Sequence, residues 1–170
     1  MGIECQLVIQ ALASHHLRAN FRCGQPALDR YLHKQARQDE KRRVSRVFVA
    51  TTQDDPDTIV GYYTLSRLSI ELNELPTELA RKLPRHPIPS ALLGRLAVSL
   101  TVQGLGIGRM LLADALKRCL AVSDEIAIYA LVVDVIDDSA RAFYEQYGFE
   151  PLGSKTRRLF LPLKSLQPAL

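Results

Sequence analysis

A glycine-rich hexapeptide is the segment whose residue types most directly suggest chemistry: Gln103-Gly104-Leu105-Gly106-Ile107-Gly108. It follows a strand-like apolar run and precedes apolar residues at helical spacing. Glycine lets a ligand approach the backbone closely, and the free amides of a helix start, with the helix dipole, stabilise negative charge. The hexapeptide therefore predicts a cradle for a phosphorylated ligand.

Two other glycine motifs do not fit this segment. A dinucleotide-binding G-x-G-x-x-G motif needs a third glycine where Arg109 stands, and it normally follows the first strand of a parallel unit. A P-loop needs Gly-Lys-Ser or Gly-Lys-Thr at the helix start, and neither is present there. The remaining alternative is an ordinary strand-to-helix turn that binds no ligand.

A second segment with chemical potential is Phe143-Tyr144-Glu145-Gln146-Tyr147-Gly148-Phe149. It lies about 35 residues after the glycine hexapeptide, across one predicted strand. Taken alone, Tyr144 indicates a core aromatic residue whose hydroxyl is satisfied by the protein.

Together, Q-x-x-G-x-G at 103–108 and F-Y-x-x-x-G-F at 143–149 resemble the GNAT acetyltransferases. The resemblance implies an α/β (α+β) GNAT acyl-CoA N-acyltransferase fold, a central, mixed, mostly antiparallel twisted sheet flanked by helices. It also implies acetyl-CoA as co-substrate, no metal, and a single acetyltransferase domain over residues 1–170.

The same resemblance assigns roles to individual residues. Tyr144 would protonate the departing CoA thiolate, and backbone amides near Val98 would polarise the thioester carbonyl. The strand Leu96 to Val98 would part from its neighbour, Ala127 to Val133, to admit the pantetheine. The residues expected to bind acetyl-CoA are Leu96, Ala97, Val98, Gln103, Gly104, Leu105, Gly106, Ile107, Gly108, Arg109, Asp134 and Phe143.

Six further segments are similar to the GNAT toxins of bacterial toxin-antitoxin modules. This resemblance implies acetylation of the α-amino group of aminoacyl-tRNA, a block of translation, neutralisation by a ribbon-helix-helix antitoxin, and a homodimer. The segments are Phe21-x-Cys23-Gly24, Leu28-Asp29-x-Tyr31-Leu32, Gly61-Tyr62-Tyr63-Thr64-Leu65-Ser66, Leu83-Pro84-Arg85-x-Pro87-Ile88-Pro89, Leu93-Gly94-Arg95-Leu96-Ala97-Val98 and Leu159-Phe160-Leu161-Pro162.

The chemistry of an α-amino acceptor agrees with the residues available. Its pKa is about 7.7 to 8.0, against about 10.4 for lysine, so part of it is neutral at cellular pH and no strong general base is required. A small-molecule amine or a protein amino group is an alternative acceptor. A non-catalytic CoA-binding sensor of the same fold is a further alternative.

Basic residues could neutralise tRNA phosphates, although solvated surfaces give the same pattern. Net charge is +4, and Lys and Arg dominate residues 1–50, 81–118 and 151–170, whereas Asp and Glu dominate 51–80 and 119–150. The candidates for tRNA binding are Lys41, Arg42, Arg43, Arg46, Arg85, Arg95, Arg157 and Arg158, with Lys155 beside the last pair.

Alternating and β-branched runs predict six strands, and apolar spacing predicts four helices. The strands are Gln6 to Ile9, Arg46 to Thr51, Ile59 to Leu65, Leu92 to Ser99, Ala127 to Val133 and Arg157 to Leu161. The helices are Gln25 to Gln38, a short one at Thr77 to Lys82, one directly after the glycines, and one capped by Asp137 or Asp138 and ended by Gly148. Residues 54–57 predict a hairpin turn, and the rest of 71–90 predicts a surface loop.

Composition places the chain among ordinary globular proteins. Its 170 residues fit one domain, and 47% are hydrophobic. No apolar run reaches the roughly 18 residues of a membrane span, and the N-terminus resembles no secretory signal, so we expect a cytoplasmic protein. Cys5, Cys23 and Cys119 predict reduced structural thiols, and the histidines lack metal-ligand spacing.

Overall fold

The computed structural model describes residues 6–153 and 157–166, so Cys5 and Lys155 lie outside the described residues. The strands are β1 (Leu7–Ala11), β2 (Arg46–Thr52), β3 (Gly61–Ile70), β4 (Ile88–Val98), β5 (Ala130–Asp134), β6 (Glu150–Pro151) and β7 (Arg158–Pro162). The helices are α1 (Pro26–Lys34), α2 (Ala36–Arg42), α3 (Thr77–Ala80), α4 (Ile107–Val122) and α5 (Asp138–Glu145).

Within the described residues, the strands form a seven-stranded sheet with the order β1-β2-β3-β4-β5-β7-β6. The β4–β5 pair is parallel, and the pairs β1–β2, β2–β3, β5–β7 and β6–β7 are antiparallel. The mixed, mostly antiparallel sheet predicted from the sequence is therefore confirmed.

The chain forms two compact units. The first comprises residues 1–66 and 94–115 and contains the glycine turn, and the second comprises 67–93 and 116–170 and contains Tyr144. Strands β3 and β4 and helix α4 each contribute residues to both units. That residues 1–170 form one domain stays a prediction.

The predicted hairpin between β2 and β3 is confirmed. The two strands pair from Arg46 with Leu65 to Ala50 with Gly61. At the turn, the Asp55 amide donates to the Thr52 carbonyl over 3.2 Å, and the Asp55 carboxylate accepts from the Thr58 amide over 3.3 Å. Aspartate side chains that bond to nearby backbone stabilise such turns.

Helix α1 is fixed in the first unit by two hydrogen bonds near its start. The buried Asp29 carboxylate accepts from the Cys23 amide at 2.9 Å, and the Tyr62 hydroxyl donates to the Leu28 carbonyl at 2.6 Å. Tyr31 and Leu32 bury the apolar face of the helix against Tyr62 and its neighbours. These contacts place α1 beside the segment that precedes it.

The single helix predicted over Gln25 to Gln38 is wrong. Gln35 ends α1 and begins α2, with φ −115° and ψ −31°. Neither proline nor glycine stands there, so the local pattern has no breaking signal. Tertiary contacts set the break, because Ala36 is fully buried and Asp39 accepts a 2.8 Å hydrogen bond from the Tyr31 hydroxyl.

In the second unit, the predicted 71–90 loop is wrong at both ends. Strand β4 begins at Ile88, not at Leu92, because Ile88 packs into the core of this unit. Residues Leu72–Glu74 form a 3₁₀ turn, and Leu75 is buried. The Pro89 carbonyl accepts from the Tyr129 amide at 2.8 Å, so a proline-rich stretch still joins the sheet.

Several element boundaries also differ from the predictions, and one strand was not predicted. Strand β3 covers Gly61–Ile70 instead of Ile59 to Leu65, and α5 ends at Glu145, before the predicted end at Gly148. Strand β5 begins at Ala130 instead of Ala127, α3 ends at Ala80 instead of Lys82, and the two-residue β6 was not predicted because it is too short to alternate. The predicted cap of α5 is confirmed, since the Asp137 carboxylate accepts from the Ala140 amide at 2.8 Å.

Replacing Tyr62 by Phe tests the anchoring of α1. The substitution removes the hydroxyl that donates to the Leu28 carbonyl, so the free energy of unfolding should fall by about 1 to 2 kcal/mol in denaturant titrations. Tyr129→Phe is the matched control, since among residues 6–153 and 157–166 the Tyr129 hydroxyl has no hydrogen-bond partner. A Tyr62→Phe loss no larger than that of Tyr129→Phe would contradict the assignment.

Candidate active site

The glycine turn connects β4 to α4 in the first unit. Gly104 and Gly106 have φ of +81° and +85°, a left-handed conformation that glycine adopts without steric cost. A Cβ built on Gly104 meets no atom within 4 Å, so the space beside this backbone is open. Ile107 is buried, and it anchors the start of α4 in the core while Leu105 stays half-exposed.

The start of α4 offers amides to an anion. The Met110 amide donates to the Gly106 carbonyl at 3.1 Å, so the amides before Met110 precede the regular ladder of the helix. The first turn carries no acidic side chain, and Arg109 lies exposed on it. The amides of Ile107 and Gly108, the helix dipole and the open space beside Gly104 together suit a phosphorylated ligand.

The Gln103 side chain positions this turn. Its Nε2 donates to the Cys23 carbonyl at 2.9 Å and to the Val98 carbonyl at 3.0 Å, which uses both amide hydrogens. The nearby Leu100 amide donates to the Arg22 carbonyl at 2.8 Å. Gln103 therefore supports the cradle by fixing it to β4 and to the segment before α1.

The strand residues predicted to hold the pantetheine lie on the last part of β4. The β4–β5 ladder runs from Ala91–Leu131 to Leu93–Val133, and β4 then continues to Val98. Ala97 is buried in the core of the first unit, whereas Leu96 and Val98 are partly exposed. Their role in holding acetyl-CoA stays a prediction.

Tyr144 lies on α5 in the second unit, within an aromatic cluster. The ring centroids of Phe143 and Phe149 lie 5.1 and 5.4 Å from that of Tyr144, both edge-on. Tyr144 is buried, and burial raises the pKa of its phenol. Within the described part of the chain its hydroxyl has no hydrogen-bond partner, so the packing holds the ring, and burial keeps the phenol protonated near neutrality.

Asp134 and Arg158, expected in different sites, bind each other across β5 and β7. The Arg158 guanidinium donates to the two carboxylate oxygens of Asp134 at 2.8 and 3.3 Å, and this bond raises the pKa of Arg158. Each charge offsets the other. Their assignment to acetyl-CoA and tRNA, respectively, stays a prediction.

The remaining tRNA-binding candidates differ in their surroundings. Lys41, Arg42 and Arg43 are exposed at the end of α2, and Arg85 and Arg157 are exposed in the second unit. Arg46 donates to Glu40 at 2.9 Å.

Arg95 is stacked on the Tyr31 ring, with 3.5 Å between the guanidinium carbon and the ring centroid. The sequence prediction included Arg95 but missed Tyr31, which Leu28-Asp29-x-Tyr31-Leu32 contained without any indication of its partner.

The two described thiols, Cys23 and Cys119, are buried. Burial raises the pKa of Cys23 and that of Cys119 to about 11 each, so both stay protonated near neutrality, as expected for structural thiols. Over residues 6–153 and 157–166, no group of three or more His, Cys, Asp or Glu side chains could hold a metal ion. In the same ranges, no helix is long and apolar enough to cross a membrane.

The similarity of the chain to a known family defines the class of enzyme. The model of the acetyltransferase (GNAT) domain matches residues 43–151, and the chain belongs to this family of acetyl-CoA-dependent N-acetyltransferases. The fold and the co-substrate expected from the sequence are thereby confirmed.

Individual proteins similar to this chain have more specific names than the family. A protein of Mycobacterium tuberculosis (strain ATCC 25618 / H37Rv) named tRNA-acetylating toxin is 39% identical over 145 residues, which are 85% of each chain. The solved structure of AtaT complexed with acetyl-methionyl-tRNAfMet has a TM-score of 0.88, 31% identity, and covers 94% of this chain and 96% of its own. A mutant AtaT toxin bound to acetyl-CoA and the C-terminus of the antitoxin AtaR has a TM-score of 0.80, 29% identity, and coverage of 95% and 96%.

Changing Gly106 tests the cradle. We expect Gly106→Asp to weaken acetyl-CoA binding at least about tenfold relative to Gly106→Asn, measured by calorimetry, because the carboxylate repels the diphosphate. Asn has nearly the same shape and also tolerates positive φ, so it is the matched control. Because salt screens charge, the difference should shrink at high ionic strength. Equal affinities would contradict the cradle.

Proposed function

We propose that the chain is a toxin that transfers the acetyl group of acetyl-CoA to the α-amino group of aminoacyl-tRNA and thereby blocks translation. The assignment of aminoacyl-tRNA as the acceptor rests on the similarity, over 94% of the chain, to AtaT in complex with acetyl-methionyl-tRNAfMet. The tRNA-acetylating toxin of 39% identity supports the same acceptor.

The residues that would hold acetyl-CoA are the turn from Gln103 to Arg109 and the strand from Leu96 to Val98. The co-substrate supplies an acetyl group activated as a thioester. Amides at the start of α4 would bind its diphosphate, and Gln103 would keep these amides aligned with β4. Backbone amides near Val98 would donate to the acyl oxygen and stabilise charge that develops there.

Tyr144 would act as the general acid that gives a proton to the departing thiolate. An ordinary phenol near pKa 10 and a thiol near 8.5 differ by about 1.5 units, so this transfer is uphill by roughly 2 kcal/mol. Burial raises the pKa of Tyr144 further, which increases this cost and at the same time keeps the phenol protonated. Loss of the proton would therefore limit the enzyme only above about pH 10.

The acceptor would be an amine that needs little activation. A free α-amino group titrates near 7.7 to 8.0, so the rate should rise with pH through this range as the neutral amine forms. Exposed cations at the end of α2, with Arg85 and Arg157, would attract the phosphates of the RNA.

The proposed partners follow from the toxin assignment. AtaT has been solved with the C-terminus of the antitoxin AtaR, and we propose that this chain is neutralised by an antitoxin of the ribbon-helix-helix type. We also propose a homodimer, which an ultracentrifugation measurement of mass would test.

An acetyltransferase acting on a small amine or a protein amino group is the competing function. Incubating the enzyme with labelled acetyl-CoA and, in parallel, aminoacyl-tRNA, free amino acids or a lysine peptide separates the two. We expect label on the aminoacyl group of tRNA, with a kcat/KM at least about a hundredfold above that for free amino acids, because only the RNA supplies phosphates to the basic residues. Label on the other acceptors alone would contradict the toxin function.

Removing the Tyr144 hydroxyl tests the general acid. Tyr144→Phe should lower acetyl transfer by about a hundredfold or more and leave acetyl-CoA affinity unchanged. The control is Tyr147→Phe, because Tyr147 lies on the same segment and packs edge-on against Phe143. Unchanged turnover in Tyr144→Phe, or an equal loss in both variants, would remove Tyr144 from the mechanism. In the wild type, a fall in rate beginning below pH 9 would also disagree with its raised pKa.

A further inference from the structure

Arg95 has an unusual combination of rigid placement and unused hydrogen-bond donors. Its guanidinium stacks on the Tyr31 ring at 3.5 Å, and the residue is only partly exposed. Among residues 6–153 and 157–166, no carboxylate or carbonyl accepts a hydrogen bond from it. One face of the cation is therefore covered, while the N–H groups at its edge are left for a ligand.

The aromatic platform beneath Arg95 is itself fixed. The Tyr31 hydroxyl donates to Asp39 at 2.8 Å, and the Tyr62 ring lies nearly parallel to the Tyr31 ring at 16° and 6.3 Å. Tyr62 is held in turn by its hydrogen bond to the Leu28 carbonyl. A guanidinium stacked on such a platform has lost much of its rotamer freedom before any ligand arrives, which lowers the entropic cost of binding.

Other arginines show what a structural role looks like in this chain. Arg46 is paired with Glu40, Arg158 with Asp134, and Arg18 donates to the carbonyls of Leu32 and His33. Their donors are at least partly used by the protein. Arg95 differs because stacking is its main contact.

We propose that Arg95 binds a single phosphate of the acceptor, the one belonging to the nucleotide that carries the aminoacyl group. The proposal rests on the proposed function. A planar guanidinium donates two parallel hydrogen bonds to phosphate oxygens, which a lysine ammonium cannot reproduce. Arg95 thus acts as a fixed contact that sets the register of the substrate, unlike mobile surface cations that attract RNA without positioning it.

The position of Arg95 along β4 suits this phosphate. Arg95 precedes Val98 by three residues on one strand, which at about 3.3 Å per residue separates them by roughly 10 Å. If the amine reacts beside Val98, the anion nearest to the amine along the substrate is the phosphate of the terminal nucleotide. One ribose and one ester linkage lie between this phosphate and the amine. Their length is comparable to the separation of Arg95 and Val98 along the strand.

The main test compares kcat/KM for aminoacyl-tRNA in wild type, Arg95→Lys and Arg30→Lys. Arg30→Lys is the matched control, because Arg30 is exposed on α1 and the same charge-conserving change is made. We expect Arg95→Lys to lose about tenfold to a hundredfold and Arg30→Lys to change less than about twofold. Acetyl-CoA affinity and the circular dichroism spectrum should not change in either variant.

A second measurement identifies the phosphate itself. An adenosine bearing a non-hydrolysable aminoacyl amide, with or without a 5′-phosphate, is tested as an inhibitor of transfer to aminoacyl-tRNA. The phosphate should strengthen inhibition of the wild type and of Arg30→Lys by about tenfold or more, and should have no effect on Arg95→Lys.

The outcomes separate this proposal from the proposed function. Equal inhibition of the wild type by the two adenosines, absence of inhibition by both, or an unchanged kcat/KM in Arg95→Lys would overturn the phosphate contact alone. Reduced acetyl-CoA affinity in Arg95→Lys would overturn it as well, since that loss indicates a structural role. A wild type that does not acetylate aminoacyl-tRNA at all would instead overturn the proposed function.

Discussion

The structure depends on one local constraint, the left-handed backbone that Gly104 and Gly106 adopt between β4 and α4. Residues with a side chain resist this conformation, so a different sequence would move the start of α4 and the direction of its first amides. Buried Ile107 and the two hydrogen bonds of Gln103 hold the turn in place. The backbone of the turn that these contacts do not cover is open to an anion.

The hydrogen bonds of Gln103 also connect the proposed donor-binding turn to the region that precedes α1. Gln103 bonds to Cys23, Leu100 bonds to Arg22, and Asp29 caps the Cys23 amide. The α1 segment also supplies Tyr31, on which Arg95 is stacked. The proposed contacts for donor and acceptor in the first unit therefore share a small set of hydrogen bonds, and side chains that touch no substrate contribute to their alignment.

Local sequence patterns were sufficient to predict the features that depend on neighbouring residues of the chain. The glycine turn, the helix after it, the Asp137 cap and the hairpin after Thr52 depend on residues near one another in sequence, and the structure confirms each. The break at Gln35 and the early start of β4 at Ile88 depend on burial against distant residues, which no local pattern contains.

Side-chain partners were the least predictable part of the candidate site. Charge counts could not distinguish Arg158, which is paired with Asp134, from Arg95, which is stacked on Tyr31. Both partners come from other elements of the chain, and pairing of this kind is a property of the fold. The sequence prediction was thus incomplete about which charges remain available.

The central claim is that the amides at the start of α4 bind the diphosphate of the acetyl donor. Comparing the affinities of acetyl-4′-phosphopantetheine and acetyl-pantetheine, which have the same thioester and differ only in the phosphate that begins the diphosphate, measures this contribution directly. We predict that acetyl-pantetheine binds at least about a hundredfold more weakly, since several charge-assisted hydrogen bonds are lost. Similar affinities for the two compounds would contradict the cradle and the account built on it.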